Sequence, residues 1–330
     1  MPTPLRRRSL LAAALFPASA RADETPRATV AFANATDDPG ARLEGTGFTG
    51  AEVRNGFALA ARRLPLDLVF YDNMLDRAKA LANAREAVAR RVDAYILFGW
   101  DAAISTEVGR LLAEAAIPML AVGQSAPGAP LYAADDKTAG RIAGEALARY
   151  AAANWGGRTV TPVILGPPAH RTRLDERIAG IVAGLQPVPA TPVRLDSGGD
   201  SLKADAALRG FLSGHSGQKV LVAALDDASA LAAKAAADAM GRTGDVVIIG
   251  QGCDRTMHGN ASERKELDPA NRGSIVLGSV AFFLDRYGYD VLPLALAMAM
   301  RQPVPPVTRT QHKLITPANA FVVYPPIDIN

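Results

Sequence analysis

Short apolar runs alternate with stretches of helical periodicity along most of the chain. From residue 28 the runs fall at 28–33, 66–71, 94–98 and 119–122, with helical stretches at 51–63, 78–90 and 103–115 between them. A strand covered on both faces needs such a run, largely free of polar alternation. Strand alternating with helix predicts a parallel, doubly wound sheet. The rhythm then restarts. Helices are expected over 139–152, 174–185, 202–212 and 228–240, and strands over 160–165, 192–195, 220–224, 246–249 and 274–277. An apolar helical stretch, 282–300, and a final strand, 321–324, complete the pattern. Two βα series of similar size predict two similar lobes. The length of 330 residues suits two domains.

The N-terminus breaks the rhythm. Arg6, Arg7 and Arg8 precede an apolar stretch over 10–16, then Pro17 and small residues ending Ala20-Arg21-Ala22. That is the order of a secretory signal peptide, and the apolar stretch is too short to span a bilayer. Arg7-Arg8-Ser9-Leu10-Leu11 also fits the twin-arginine pattern. Export to the periplasm with cleavage near Ala22 is expected. Without residues 1–22, Lys+Arg falls from 36 to 32 against 33 Asp+Glu. The formal charge of +3 therefore belongs to this segment, and no basic cluster remains to follow a phosphate backbone. Nucleic acid and stable membrane insertion are not expected as partners. Cys253 is the only cysteine, so an intramolecular disulfide is impossible, and packed cores must supply the stability.

Candidate chemistry starts with Gly45-Thr46-Gly47-Phe48-Thr49-Gly50, which spells G-x-G-x-x-G at the start of a helix, with Asp72 ending the next strand. That is the outline of a dinucleotide fingerprint and would suit an exported NAD(P)-dependent oxidoreductase. However, the first strand ends near Ala33, well before the glycines, and no Tyr-x-x-x-Lys pair occurs. The milder reading is a helix N-terminus whose free N–H groups face a polar ligand. The loop 34–47 is longer than the usual βα connection. His170, His215, His258 and His312 are scattered, so no metal site is expected. There is no G-x-S-x-G elbow, and Cys253 has no local base. No cofactor and no catalysis are expected.

In doubly wound sheets, ligands bind beyond the carboxyl ends of the strands. Polar and aromatic residues gather at those positions here: Trp100 and Asp101, Gln124, His170, Arg171 and Arg173, Asp226 and Asp227, and Gln251. Aromatic faces, Trp100 and Phe48 among them, can cover the C–H face of a sugar ring. Arg and Asp supply directional hydrogen bonds to hydroxyls or carboxylates. Asp226 and Asp227 are also plausible helix N-caps.

Four segments carry a family resemblance. Residues 134–144, Ala-Asp-Asp-Lys-Thr-Ala-Gly-Arg-Ile-Ala-Gly, resemble D-N-x-x-A-G-x-x-A-G. Arg177-Ile178-Ala179-Gly180 resembles R-x-x-G, and Asp226-Asp227-Ala228-Ser229-Ala230-Leu231 resembles N-D-x-x-A-L. Gly278-Ser279-Val280-Ala281-Phe282-Phe283, with Tyr287-Gly288 and Pro303-Val304-Pro305-Pro306, resembles the last crossover and its helix. In order and spacing the chain resembles the periplasmic sugar-binding proteins of ABC transporters, the ribose-binding type, whose fold LacI-like repressors share.

The resemblance implies a periplasmic binding protein type 1 fold: two doubly wound lobes, 27–134 plus 281–307 and 135–280 plus 308–330, joined by three crossovers near residues 134, 280 and 308. It also implies a cleft that closes by hinge motion over a sugar, polyol or sugar acid, delivery to a transporter permease, and a monomer. A ligand-binding partner of a membrane sensor would use the same fold. A repressor is disfavoured, because the signal peptide stands where a helix-turn-helix would have to be. The ligand-binding candidates are Phe48, Trp100, Gln124, Arg171, Arg173, Asp226, Gln251 and Phe282. The sequence departs from the pattern at Gly123-Gln124, where sugar binders carry Asp-Arg, and at Gly252, where an Asp is usual.

Overall fold

A computed structural model describes residues 27–168, 172–259 and 263–325. The N-terminal segment with its expected cleavage site, and the candidates His170 and Arg171, lie outside the described residues. In chain order the elements are β1 (Ala28–Asn34), α1 (Gly50–Ala61), β2 (Leu66–Asp72), α2 (Arg77–Ala89), β3 (Ala94–Phe98), α3 (Ala102–Glu114), β4 (Met119–Val122) and β5 (Leu131–Ala133). There follow α4 (Asp136–Asn154), β6 (Val160–Gly166), α5 (Thr172–Gly184), β7 (Val193–Asp196), α6 (Ser201–Gly214), β8 (Lys219–Ala224), α7 (Asp227–Ala239) and β9 (Val246–Gly252). The chain ends with β10 (Val276–Ala281), a 3₁₀ turn (Leu284–Arg286), α8 (Tyr287–Ala299), β11 (Val307–Arg309), β12 (Lys313–Ile315) and α9 (Ala320–Val323).

The strands form two six-stranded sheets, ordered β11-β5-β4-β3-β1-β2 and β12-β10-β9-β8-β6-β7. All pairings are parallel except β10 with β12. Order reverses beside β1 in the first sheet and beside β6 in the second, giving each a topological switch point. Three passages join the sheets: between β5 and α4, after β10, and at residues 310–312 between β11 and β12. The result is two doubly wound α/β lobes of the periplasmic binding protein type 1 architecture.

Local chemistry explains the helix starts. Asp76, Asp101, Asp135, Asp200 and Asp226 open α2, α3, α4, α6 and α7, each accepting a hydrogen bond from a first-turn N–H. Such a cap contributes about 1 kcal/mol. Thr49 and Glu52 form a reciprocal capping box on α1. Helices α4 and α5 touch backbone to backbone. A Cβ on Gly140 would stand 2.0 Å from the Arg177 carbonyl, and one on Gly180 2.0 Å from that of Lys137. This contact is the physical content of the A-G-x-x-A-G and R-x-x-G segments. Strands β3 and β9 are buried along their whole length, and β8 is buried throughout beyond Lys219, as their apolar runs require. In the first lobe Phe32 of β1 stacks on Phe57 of α1 at 3.8 Å.

Three elements differ from the sequence pattern. The expected strand 321–324 is the short helix α9. The helix expected from 282 begins at Tyr287, because Phe283 takes a left-handed backbone (φ 56°) and a 3₁₀ turn follows. The strand expected over 274–277 runs over Val276–Ala281 instead.

Candidate functional site

Parallel strands point the carboxyl ends of both sheets toward the boundary between the lobes. The first lobe brings the β1–α1 loop, Trp100 after β3 and Gln124 after β4. The second brings Arg173 in the first turn of α5, Asp226 before α7, and Gln251 and Asp254 at the end of β9. Phe282 and His312 sit on the crossings.

The β1–α1 loop reaches across to the second lobe. The Glu44 carboxylate, 2 % exposed, accepts from Arg173 Nη1 at 2.6 Å and from the Tyr287 hydroxyl at 2.9 Å. Its partner Arg173 keeps 29 % of its side chain exposed. Arg177 Nη1 donates to the Gly45 carbonyl at 3.1 Å, and Nη2 to that of Glu44 at 3.3 Å. Thr46 rests against Gly252. Gly47 lies so close to Asp254 that a Cβ there would fall 1.9 Å from Oδ2. Arg255, beyond Asp254, pairs with Glu52 of α1 at 2.9 Å. Glu44 itself takes a left-handed backbone (φ 53°), as does Gly45 (φ 64°), a conformation that costs an L side chain energy.

The floor on the second lobe is acidic and buried. Asp227, fully buried, accepts from Ser279 Oγ at 2.6 Å and from the Asp254 amide at 3.0 Å. The Asp254 carboxylate accepts the Thr256 amide and hydroxyl. Burial pushes both carboxyls up, and like charge adds to the rise, that of Asp254 at Asp227 and that of Glu52 at Asp254. Gln251 of β9 is fully buried, and neither of its amide atoms has a partner. Burial raises the Cys253 thiol well above its ordinary range, which opposes a reactive thiolate.

Arg177 and His312 hold the frame. Arg177 is fully buried. It donates to Asp136 at 2.6 and 2.9 Å and to the Leu225 carbonyl at 2.6 Å, and lies 4.4 Å from the Phe282 ring centroid. His312 touches all three crossings: Nδ1 bonds the Ala281 carbonyl at 3.0 Å, and Nε2 accepts the Asp135 amide at 3.2 Å, with Thr310 Oγ1 at 2.8 Å. A carbonyl can only accept, so Nδ1 carries the proton and the ring is neutral. Burial accordingly lowers its pKa below 6.5.

The sequence candidates fare unevenly. Arg173 stands at the lobe boundary, bound to Glu44. Trp100 and Gln124 are half-buried at their strand ends. Gln251 is buried with its amide unpartnered. Asp226 is half-buried, but its carboxylate is committed to the Ser229 amide at 2.6 Å, so it acts as the α7 cap. Phe48 is 3 % exposed and joins the first-lobe core. Phe282, fully buried, is packed between Arg177 and the His312 ring. The glycines of the G-x-G-x-x-G serve close approaches: a Cβ on Gly50 would stand 1.5 Å from the Thr36 carbonyl. The α1 N-terminus is not free for a phosphate, since Thr49 accepts from the Glu52 amide and the Glu52 carboxylate takes that of Thr49.

Glu44, Asp254, Tyr287 and His312 are the residues that sequence reasoning missed. Asp254 had a signal: an acid two places past Gly252, where the family pattern expects one. Glu44 had none, because its approach to Arg173 depends on the course of a loop. Among the described residues no cluster of three or more His, Cys, Asp or Glu is placed to hold a metal, and no helix is long and apolar enough to cross a membrane.

Two doubly wound lobes, three crossings and facing polar strand ends define a binding protein with an interlobe cleft. The chain belongs to the periplasmic binding protein family: the model of the periplasmic binding protein domain matches residues 44–268. No curated protein matches the sequence. Among solved structures, the arabinose-binding protein AraP of Geobacillus stearothermophilus is similar over 91 % of this chain and 100 % of its own, with TM-score 0.69 and 17 % identity. An ABC transporter periplasmic solute-binding protein of Actinobacillus succinogenes 130z with bound D-allose matches over 89 % and 99 %, at TM-score 0.67 and 15 % identity. A third, an ABC transporter solute-binding protein of Bacillus halodurans C-125 with bound myo-inositol, matches over 89 % and 96 %, at TM-score 0.65 and 16 % identity.

Proposed function

We propose that this protein is an extracytoplasmic receptor that captures a sugar-like small molecule between its lobes and delivers it to an ABC transporter. The observation that carries the reading is the meeting of polar groups from both lobes at one boundary: Glu44 and Gly47 from the first, Arg173 and Asp254 from the second. A molecule bound there touches both lobes only when they are closed, so binding shifts the population toward closure. The bound sugars and polyols of the neighbouring structures support this ligand class. Trp100, Gln124, Arg173 and Gln251 are its proposed contacts, and the cleft residues bind rather than transform. Export through the N-terminal segment and action as a monomer complete the proposal.

Thermal shift against a panel of sugars, polyols, sugar acids and nicotinamide cofactors tests it. Ligand at 100 times its dissociation constant stabilises the folded state by roughly 2.7 kcal/mol. A hit among sugars, polyols or their acids is expected, with a change in Trp100 fluorescence. A response to nicotinamide cofactors alone would restore the oxidoreductase reading.

A further inference from the structure

In this structure the β1–α1 loop joins the two lobes as a bound ligand would. Glu44 grips Arg173 and Tyr287, the Glu44 and Gly45 carbonyls meet Arg177, Thr46 rests on Gly252 and Gly47 on Asp254. The groups that receive the loop therefore describe the chemistry of what can replace it.

Arg173 and the Tyr287 hydroxyl present donors to the two oxygens of one carboxylate, which is itself almost wholly removed from water. Guanidinium has no acceptor, and a neutral hydroxyl opposite it in this half-buried site would leave its charge without an ionic partner. Gly123 keeps this space open: a Cβ there would stand 2.7 Å from Glu44 Oε1 and 3.1 Å from Arg173 Nη2. The other end of the loop faces an acceptor, the Asp254 carboxylate, whose Oδ2 has no hydrogen-bond partner. A carboxylate at one end and hydroxyl donors at the other complement this arrangement.

The loop is also built to let go. Glu44 sits in a left-handed conformation, and Gly45 next to it is exposed. Arg177 holds the loop carbonyls at 3.1 and 3.3 Å, whereas it holds Asp136 and the Leu225 carbonyl at 2.6 to 2.9 Å. Much of the loop's grip on the second lobe thus runs through one carboxylate, for which a soluble carboxylate can be exchanged.

We infer that the cleft takes a carboxylate-bearing sugar, a uronic or aldonic acid, whose carboxylate replaces that of Glu44 on Arg173 and Tyr287. The inference rests on the receptor reading above and adds its ligand class. Glu44 is then a tethered competitor that sets the threshold for binding.

Titration calorimetry on the full chain tests it with matched pairs, D-glucuronate against D-glucose and D-galacturonate against D-galactose, and with D-gluconate. Wild type, Glu44→Gln and Arg173→Gln are compared, with circular dichroism melts to establish that each is folded. At least one acid is expected to bind roughly tenfold or more tightly than its parent sugar or, for gluconate, than glucose. Glu44→Gln should strengthen acid binding by about tenfold, because it weakens the competitor and raises the competent fraction. Arg173→Gln should erase the preference for the acid. Parent sugars binding as tightly as the acids, or an acid preference that survives Arg173→Gln, would overturn the inference and leave the sugar-receptor reading standing. No binding of any member by wild type or folded Glu44→Gln would overturn the inference, and a silent wider panel would then remove the receptor reading too.

Discussion

Arg173 and Arg177 stand one turn apart on α5, and each holds a carboxylate, yet they do opposite kinds of work. Arg177 is fully buried and ties Asp136 of its own lobe, at the end of the first crossing, to the turn after β8. Arg173 keeps part of its side chain in water and reaches Glu44 of the other lobe. A fully buried pair within one lobe has no alternative partner, so breaking it leaves a bare charge in a low dielectric. A pair across the boundary can separate when the lobes open, and water or a ligand then takes over. Position relative to the boundary, rather than residue type, separates a structural arginine from a binding one.

The hardest test of this contrast is Arg177→Ala. It strands Asp136 and removes the donor to the Leu225 carbonyl, so a loss of about 3–5 kcal/mol in equilibrium denaturant unfolding is expected. A loss no larger than that of Arg173→Ala would erase the distinction. Gly140→Ala probes the same frame without touching charge. Its Cβ must displace the Arg177 carbonyl, and overpacking of this kind costs about 1–3 kcal/mol, read as a lower unfolding midpoint. Gly47→Ala probes the boundary instead. Its Cβ collides with the Asp254 carboxylate only while the lobes are closed. Small-angle scattering should therefore find a larger radius of gyration than in wild type, while the unfolding free energy changes by less than about 1 kcal/mol. A compact Gly47→Ala protein would mean that the loop does not control closure.

Much of the frame around Arg177 was legible in the sequence, and little of the boundary was. The α4–α5 contact is written locally, as glycines four apart on each helix, and the strands as apolar runs. Arg173 could be named because a polar residue soon after a strand end falls at the cleft whatever the loop does. Its partner could not, since Glu44 lies in a long loop without periodicity and meets Arg173 through tertiary placement. Asp226 was readable in two ways, as a ligand contact through the family pattern and as a helix cap, and its carboxylate is seen on the Ser229 amide as a cap. The end of β10 was hard to read, because the chain turns left-handed at Phe283 and aromatic residues give no warning of such a turn. The short strands β5, β11 and β12 carry too few residues to stand out from neighbouring loops.

The smallest expected effect concerns the crossings themselves. His312 is neutral, with its Nδ1 proton on the Ala281 carbonyl and Nε2 accepting the Asp135 amide. Asp135, Asp136 and Arg177 are the charged groups that face it, and burial outweighs the two acids to hold its pKa below 6.5. The unfolded chain titrates this ring near 6.5. Between the folded pKa and 6.5 the unfolded state thus binds more protons, and stability must fall as pH falls through that window. Below the folded value the ring is protonated in both states and its slope ends. The buried acids Asp227 and Asp254 have raised folded pKa values and contribute the opposite slope above the carboxylate range. The His312 share is therefore read as the difference between wild type and His312→Asn, which keeps a donor for the Ala281 carbonyl but cannot titrate. A difference that develops as pH drops below 6.5, wild type losing stability relative to His312→Asn, is expected from chemical unfolding. Parallel pH profiles for the two proteins would show that the crossings tolerate a charged ring, and that the contrast between frame and boundary does not extend to the hinge.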